Sequence, residues 1–205
     1  MRRSKSSRRW LAEHFNDVYV KKAHAQGYRS RSVFKLKEIF EKDHLLKKNM
    51  RVLDLGAAPG GWTQLVLEHL KGQGKVWSLD LLPLSALPDV TFIQGDFTSE
   101  ETLKLLWCAL GEEAVDLILS DMAPNMSGVS GVDQPRVMYL AETVLDLTSY
   151  LLKPEGCLVI KLFQGEGYDA FLKLLRQQFK KVTIRKPAAS RKRSNEIYLI
   201  AREMK

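Results

Sequence analysis

Four polar residues stand where apolar runs of this chain end: Asp80 in KVWSLD, Asp96 in FIQGDF, Asp121 in LILSDMAPN and Lys161 in LVIKLFQG. In doubly wound sheets ligands sit outside the carboxyl ends of the strands, so polar residues at those ends are the first candidates for chemistry. Asp121 and Lys161 each close a nearly continuous apolar run. A charge there is costly to bury unless it is paired, so the two are expected to face each other across adjacent strands, with a purely structural ion pair as the bland alternative. Asp96 could accept a hydrogen bond from an adenine amino group, or could cap a helix that starts near Thr98.

The segment RVLDLGAAPGGW (residues 51–62) adds a binding loop to these ends. A strand stops at Asp54 and turns through Gly56, Gly60 and Gly61 into a helix, a density of glycine hard to explain by packing alone. A dinucleotide loop would read G-x-G-x-x-G, whereas this one reads G-x-x-x-G-G with Pro59 inside it. Asp80, twenty residues after Gly60, could accept two hydrogen bonds from ribose hydroxyls. A ribose without a pyrophosphate points to S-adenosylmethionine, with Asp54, Gly56, Gly60 and Asp80 as candidate contacts. A generic turn with a surface aspartate is the alternative.

Transfer of a methyl group from a sulfonium needs a nucleophile and a group to take its proton. Methylation at base C5 would need a cysteine in the loop after the fourth strand, and Cys108 and Cys157 fall elsewhere. Methylation of an exocyclic base nitrogen is usually served by Asn or Asp before two prolines and an aromatic, but Asp121 precedes Met122, Ala123 and Pro124. A ribose hydroxyl remains. It is a weak acid, and a lysine held neutral by burial and by a second cation suits it as a base. Lys161 is that lysine, Lys35 a candidate for the second cation, and Glu196 in SNEIYLIA could balance the charge.

The elements that must position these residues follow from periodicity. Strands are expected at 51–55, 75–79, 90–93, 115–119, 156–162, 181–185 and 196–201, alternating with helical patterns in the βαβ manner of a sheet covered on both faces. Val137, Leu140, Val144, Leu147 and Leu151 mark one helix face, and Tyr168, Phe171, Leu172, Leu175 and Phe179 another. Ahead of the first strand, Leu11, Phe15 and Val18 mark an amphipathic helix, and Val33, Leu36, Ile39 and Phe40 a second. At 205 residues and 45% hydrophobic content, the chain suits one domain (30–205) behind a basic arm (1–29).

Charge is unevenly placed along the chain. Residues 1–37 carry eleven Lys or Arg against Glu13 and Asp17, while the remainder, with 21 basic and 22 acidic residues, is nearly neutral. A second cluster gathers Arg185, Lys186, Arg191, Lys192 and Arg193. Two such patches around a neutral core suit a polyanion, most simply a nucleic acid; a solvated surface or an organelle transit peptide would also explain the basic start. Two scattered cysteines make neither a disulfide framework nor a zinc site, and no metal is expected. No apolar run is long enough to span a membrane, and none follows the basic start as a secretory signal would require.

GAAPGGW, SDMAPN, VIKLFQG and the separated set Lys35, Asp121, Lys161 and Glu196 resemble the FtsJ/RrmJ family of ribose 2′-O-methyltransferases, over essentially the whole chain including SRSVFKL and KPAASRKRS. The resemblance implies a Rossmann-like α/β methyltransferase fold with a seven-stranded, mostly parallel sheet, S-adenosylmethionine as donor, and a catalytic tetrad on those four residues. It also implies cofactor contacts from Gly60, Trp62, Asp80, Asp96 and Asp121. The implied substrate is a uridine of large-subunit ribosomal RNA on the assembled subunit, met by a cytoplasmic monomer. A relative acting on messenger caps or transfer RNA, and an assembly factor with a vestigial site, are the rivals. The basic arm argues against the first and the intact tetrad against the second.

Overall fold

The structure, a computed structural model, describes residues 17–205. Leu11, Phe15, Glu13 and the cations Arg2, Arg3, Lys5, Arg8 and Arg9 lie outside the described residues. Among the described residues, all seven expected strands form: β1 (Met50–Leu55), β2 (Gly74–Asp80), β3 (Val90–Gln94), β4 (Val115–Ser120), β5 (Leu152–Phe163), β6 (Phe179–Arg185) and β7 (Glu196–Met204). The helices are α1 (Val18–Ala25), α2 (Val33–Asp43), α3 (Gly61–Leu70), α4 (Glu100–Leu110), α5 (Ser130–Leu151) and α6 (Tyr168–Gln178).

The strands form one sheet in the order β3-β2-β1-β4-β5-β7-β6. Every pair is parallel except those of β7, which runs antiparallel between β5 and β6. The central strands read as continuous apolar runs because both faces are covered. Leu53, Leu55, Ile118, Leu158 and Ile160 pack toward α4, α5 and α6 through Leu106, Leu110, Val144, Leu145, Phe171 and Leu175. Val52, Leu117, Val159 and Ile200 pack on the other face with Leu36, Ile39, Leu65 and Val66 of α2 and α3. Alternation along β1 therefore sends Asp54 to the same face as Val52, under α3.

Three local expectations are revised. β5 begins at Leu152 rather than 156, because Val115 pairs with Leu152 across an irregularity in register that accommodates Pro154 and Gly156. Phe179 caps α6 and opens β6 instead of closing a helical face. Val18 opens α1 but is 72% exposed, and the buried residues of α1 are Val20 and Ala23. Residues counted with the arm lie on the body of the fold: Tyr19 and Tyr28 both pack on Phe34 of α2, at 5.7 and 6.0 Å between ring centroids.

Candidate active site

Strand order reverses between β1 and β4, and the crevice at such a reversal opens at the carboxyl ends of the strands. The glycine loop leaves β1 there. Gly56 has φ 75° and Gly60 has φ 109°, conformations that side chains with a Cβ rarely adopt, and Gly60 in that state caps α3. A Cβ on Gly56 would come within 2.4 Å of Met122 Cγ, so the loop abuts the segment that follows Asp121. Gly61 has a different reason: a Cβ there would meet Ser30 Oγ at 2.2 Å. Packing against the segment before α2, and no ligand, accounts for that third glycine.

Asp80 ends β2 and holds the loop from the side, accepting from the Ala58 amide at Oδ2 and the Leu82 amide at Oδ1, both at 2.8 Å. Each oxygen keeps acceptor capacity toward the crevice. Asp96 is exposed, and its Oδ1 accepts from the Thr98 amide and hydroxyl at 2.9 and 2.7 Å. The helix cap considered for Asp96 belongs instead to Ser99, which accepts from the Thr102 amide at the start of α4.

Asp54 and Trp62 sit inside the protein. The Asp54 side chain is fully buried, accepts from Thr63 Oγ1 at 2.7 Å through Oδ2, and leaves Oδ1 without a partner. Burial pushes its carboxyl up to about 7; the Thr63 hydrogen bond opposes this, and the negative charges of Asp121 and Asp80 add to it. The Trp62 indole is buried against Tyr198, at 5.8 Å between ring centroids, and donates to the Ser32 carbonyl at 3.0 Å. Any cofactor contact from this residue falls to its backbone.

Asp121 and Lys161 come together one residue beyond the Ser120–Ile160 register pair. Lys161 Nζ lies 3.0 Å from Asp121 Oδ1 and also donates to the Asp121 carbonyl. The same Oδ1 accepts from Tyr198 Oη at 2.8 Å. Tyr198 is fully buried, and burial followed by the charges of Asp121 and Glu196 pushes its phenol well above the usual value, which keeps it a donor. On its far side, Lys35 Nζ lies 5.7 Å from the ring centroid. Lys35 in turn pairs with Glu196, at 2.7 Å from Oε1 and 2.8 Å from Oε2, and Ser190 Oγ donates to Glu196 Oε1 at 2.7 Å. Burial raises the Glu196 carboxyl, but Lys35, Ser190 and Lys161 outweigh it and hold it below the ordinary range.

The four sequence candidates thus form two ion pairs joined through a tyrosine. The Lys35 charge is balanced by Glu196 within the network. Glu196 is only 9% exposed and belongs to the interior of the site. Sequence reasoning passed over Tyr198 and Ser190. Tyr198 was within reach of it, since it lies two residues after Glu196 on one strand and so shares its face. Asp133, buried in the first turns of α5, was also missed; it accepts from the Ser127 amide and hydroxyl and the Gly128 amide, fixing the segment beyond Asp121.

A cleft of about 260 Å³ opens beside this network, lined by Arg31, Lys35, Arg191, Ser194 and Glu196. It brings the two basic stretches of the sequence side by side. Several of their cations are occupied by protein partners, however. Arg31 pairs with Asp17 at 2.8 Å and donates to the Ala189 carbonyl. Arg185 makes a two-pronged contact with Asp43, both bonds 2.8 Å, and Lys186 donates to the Ser194 carbonyl at 2.8 Å. Among the described residues no His, Cys, Asp and Glu group could hold a metal ion, and no helix is long and apolar enough to cross a membrane.

Known proteins resemble this chain in sequence and fold. The family model of FtsJ-like methyltransferases matches residues 28–204. The chain is 56% identical over 202 residues to the ribosomal RNA large subunit methyltransferase E of Legionella pneumophila (strain Corby), with 98% of each chain covered. It is 56% identical over 205 residues to the protein of that name from Hydrogenovibrio crunogenus, with both chains covered in full. A solved structure described as a ribosomal RNA methyltransferase from Plasmodium falciparum matches with a TM-score of 0.79 at 29% identity, covering 86% of this chain and 98% of that one. Human methyltransferase-like protein 13, solved in complex with SAH, matches at 16% identity with a TM-score of 0.59 over 83% of this chain and 79% of its own, a likeness of fold alone. With its seven-stranded Rossmann-like sheet and a family match over most of its length, the chain belongs to the FtsJ-like methyltransferases.

Proposed function

We propose that this enzyme transfers the methyl group of S-adenosylmethionine to the 2′-hydroxyl of a uridine in large-subunit ribosomal RNA, on the assembled subunit. The observation that carries the reading is the network Glu196–Lys35–Tyr198–Asp121–Lys161 at the crevice where the glycine loop leaves β1. The names of the relatives at 56% identity support the substrate. The residues present fit the cofactor: Gly56 and Gly60 turn the loop through positive φ at the crevice, Asp80 and Asp96 keep acceptor capacity, and Asp54 leaves a buried oxygen unpartnered. When bound, S-adenosylmethionine supplies a methyl carbon on a sulfonium leaving group.

Within this reading each side chain has one task. Lys161, once it has given up its ammonium proton to solvent, takes the proton of the attacking hydroxyl at Nζ, Asp121 fixes the direction of that amine through Oδ1, and Tyr198 holds Asp121 in turn. Lys35 and Glu196 form the wall toward the basic cleft, where Arg191 meets the phosphates flanking the target nucleotide. No step requires a metal. The cations Arg2, Arg3, Lys5, Arg8 and Arg9 of the arm (1–29) extend the RNA surface of a single domain (30–205), and the protein works as a cytoplasmic monomer. Mass-spectrometric mapping of ribose methylation on large-subunit RNA, with and without the protein, tests the proposal. A new 2′-O-methyluridine that survives added chelator is expected; methylation of transfer RNA or caps, and none of large-subunit RNA, would sink it.

A further inference from the structure

Arg29 counts by sequence among the cations of the basic arm, yet its guanidinium is turned onto the protein. Nη1 donates to the Ser85 carbonyl at 2.7 Å and to the Pro59 carbonyl at 3.4 Å, and Nη2 donates to the Ala86 carbonyl at 3.0 Å. Pro59 belongs to the glycine loop. Ser85 and Ala86 belong to the segment between β2 and β3, which has no regular helix or strand and exposes Leu81 and Leu82 at 64% each. The fit at Gly60 is close: a Cβ there would meet Arg29 Nη1 at 3.0 Å on one side and Leu84 Cδ1 at 3.0 Å on the other.

The backbone around Arg29 is anchored as firmly. Its amide donates to Gln64 Oε1 at 2.8 Å, Gln64 Nε2 donates to the Gly27 carbonyl at 3.2 Å, and Tyr28 Oη donates to Glu68 Oε2 at 2.6 Å. These bonds fix the guanidinium to α3, the helix that the glycine loop starts. The segment after β2 has further ties at its β2 end, from the Leu82 amide to Asp80 and from Gln94 Nε2 to the Leu81 carbonyl. Arg29 is the tie at its middle. A planar fork of five N–H donors can span carbonyls on two segments at once, which a single ammonium does poorly.

We infer that Arg29 is a positioning residue of the cofactor cleft, strapping the segment 81–89 to the glycine loop, and that it is not a phosphate contact of the RNA surface. The inference rests on the cofactor reading above. By linkage, whatever displaces Gly27–Arg29 loosens the cofactor, and cofactor binding holds Gly27–Arg29 in place to the same extent.

The test compares the whole wild-type protein with Arg29→Ala and Arg29→Lys. Calorimetry gives the affinity for S-adenosylmethionine and S-adenosylhomocysteine, hydrogen exchange without ligand follows the amides of 81–89 and 57–61, and RNA affinity is measured against salt. Arg29→Ala should weaken both cofactor forms by roughly tenfold, the scale of one lost charge-assisted interaction. It should speed exchange in 81–89 and leave the salt dependence of RNA binding unchanged. Arg29→Lys, which keeps the charge, should recover only a small part of the cofactor affinity.

Unchanged cofactor affinity in Arg29→Ala overturns the strap. So does a salt slope lowered by about one in Arg29→Ala and restored in Arg29→Lys, the signature of a phosphate contact. If the wild type binds neither cofactor form, the cofactor reading falls. Exchange in 81–89 then decides the strap alone, faster in Arg29→Ala if it holds and unaltered if it does not.

Discussion

Strands β4 and β5 carry an aspartate–lysine pair at each end. At the amino ends Lys153 Nζ lies 2.7 Å from Asp116 Oδ1, and at the carboxyl ends Lys161 Nζ lies 3.0 Å from Asp121 Oδ1. Residue types, strands and distances nearly match, but the surroundings differ. Asp116 has each oxygen committed to a fixed partner, since Oδ2 accepts from the Arg51 amide at 2.7 Å, and the Lys153 side chain is 40% exposed. Asp121 receives both Tyr198 and Lys161 on one oxygen, and the Lys161 side chain is only 9% exposed. At a hydrated pair, water competes with a substrate for the same groups. A desolvated pair that shares one acceptor beside a crevice holds an amine in place with capacity to spare.

The strongest way to break this contrast is to cut both lysines. Lys161→Ala and Lys161→Arg should each lose roughly 10² to 10⁴-fold in single-turnover methyl transfer at saturating RNA and cofactor, because arginine keeps the charge but cannot act as a base. Lys153→Ala should turn over like the wild type. Near-normal rates in Lys161→Arg would leave Lys161 as an electrostatic partner of Asp121 only.

Arg185 sharpens the distinction between charges that serve the fold and charges that serve a ligand. Its removal strips the two-pronged partner from Asp43, whose side chain is 7% exposed and whose carboxylate then has Arg202 at 3.8 Å as its nearest charge. Urea denaturation should show Arg185→Ala destabilised by about 1–3 kcal/mol. The salt slope of RNA binding should stay as it was; a lower slope would return Arg185 to the RNA surface.

At the cofactor end of the same crevice, Asp80→Asn should weaken S-adenosylmethionine by roughly tenfold in calorimetry. Equal affinity would mean that Asp80 serves only to pin Ala58 and Leu82.

A pH-dependent effect concerns Asp54. Its carboxyl rises in the fold from 3.8 to about 7, so the folded state holds a proton that the unfolded state releases between those values. That contribution to stability is complete below 3.8 and is lost as pH rises through about 7. Asp54→Asn is blind to it, so urea midpoints should favour the variant over the wild type progressively between pH 3.8 and about 7. A constant difference over that interval would contradict a protonated Asp54.

Much of this was legible in the sequence, and the limits have a common physical form. The seven strands and the site-bearing strand ends could be read because buried parallel strands are apolar runs and polar residues interrupt them only at the ends. Pairing of Asp121 with Lys161 followed from the cost of burying either alone. What escaped depends on side-chain direction across the fold. Alternation along β1 turned Asp54 inward under α3, Ser30 explained Gly61, and Ser99 took the cap considered for Asp96. Arg29, Arg31 and Arg185 carry the same charge as the cations around them, and charge counts cannot show that carbonyls or carboxylates of the protein already hold them.

The place of β7 bears on the order in which the molecule can become competent. β6 precedes β7 in the chain but lies outside it, so β6 has no partner in the sheet until β7 separates it from β5. The two strands are antiparallel neighbours joined by a ten-residue connection, and they reach β5 most simply as a preformed hairpin. The glycine loop, Asp80, Asp121 and Lys161 belong to the part of the sheet built from β1 to β5, whereas Glu196 and Tyr198 arrive with the hairpin. The two ion pairs of the site are therefore joined only once the last two strands of the chain are in place.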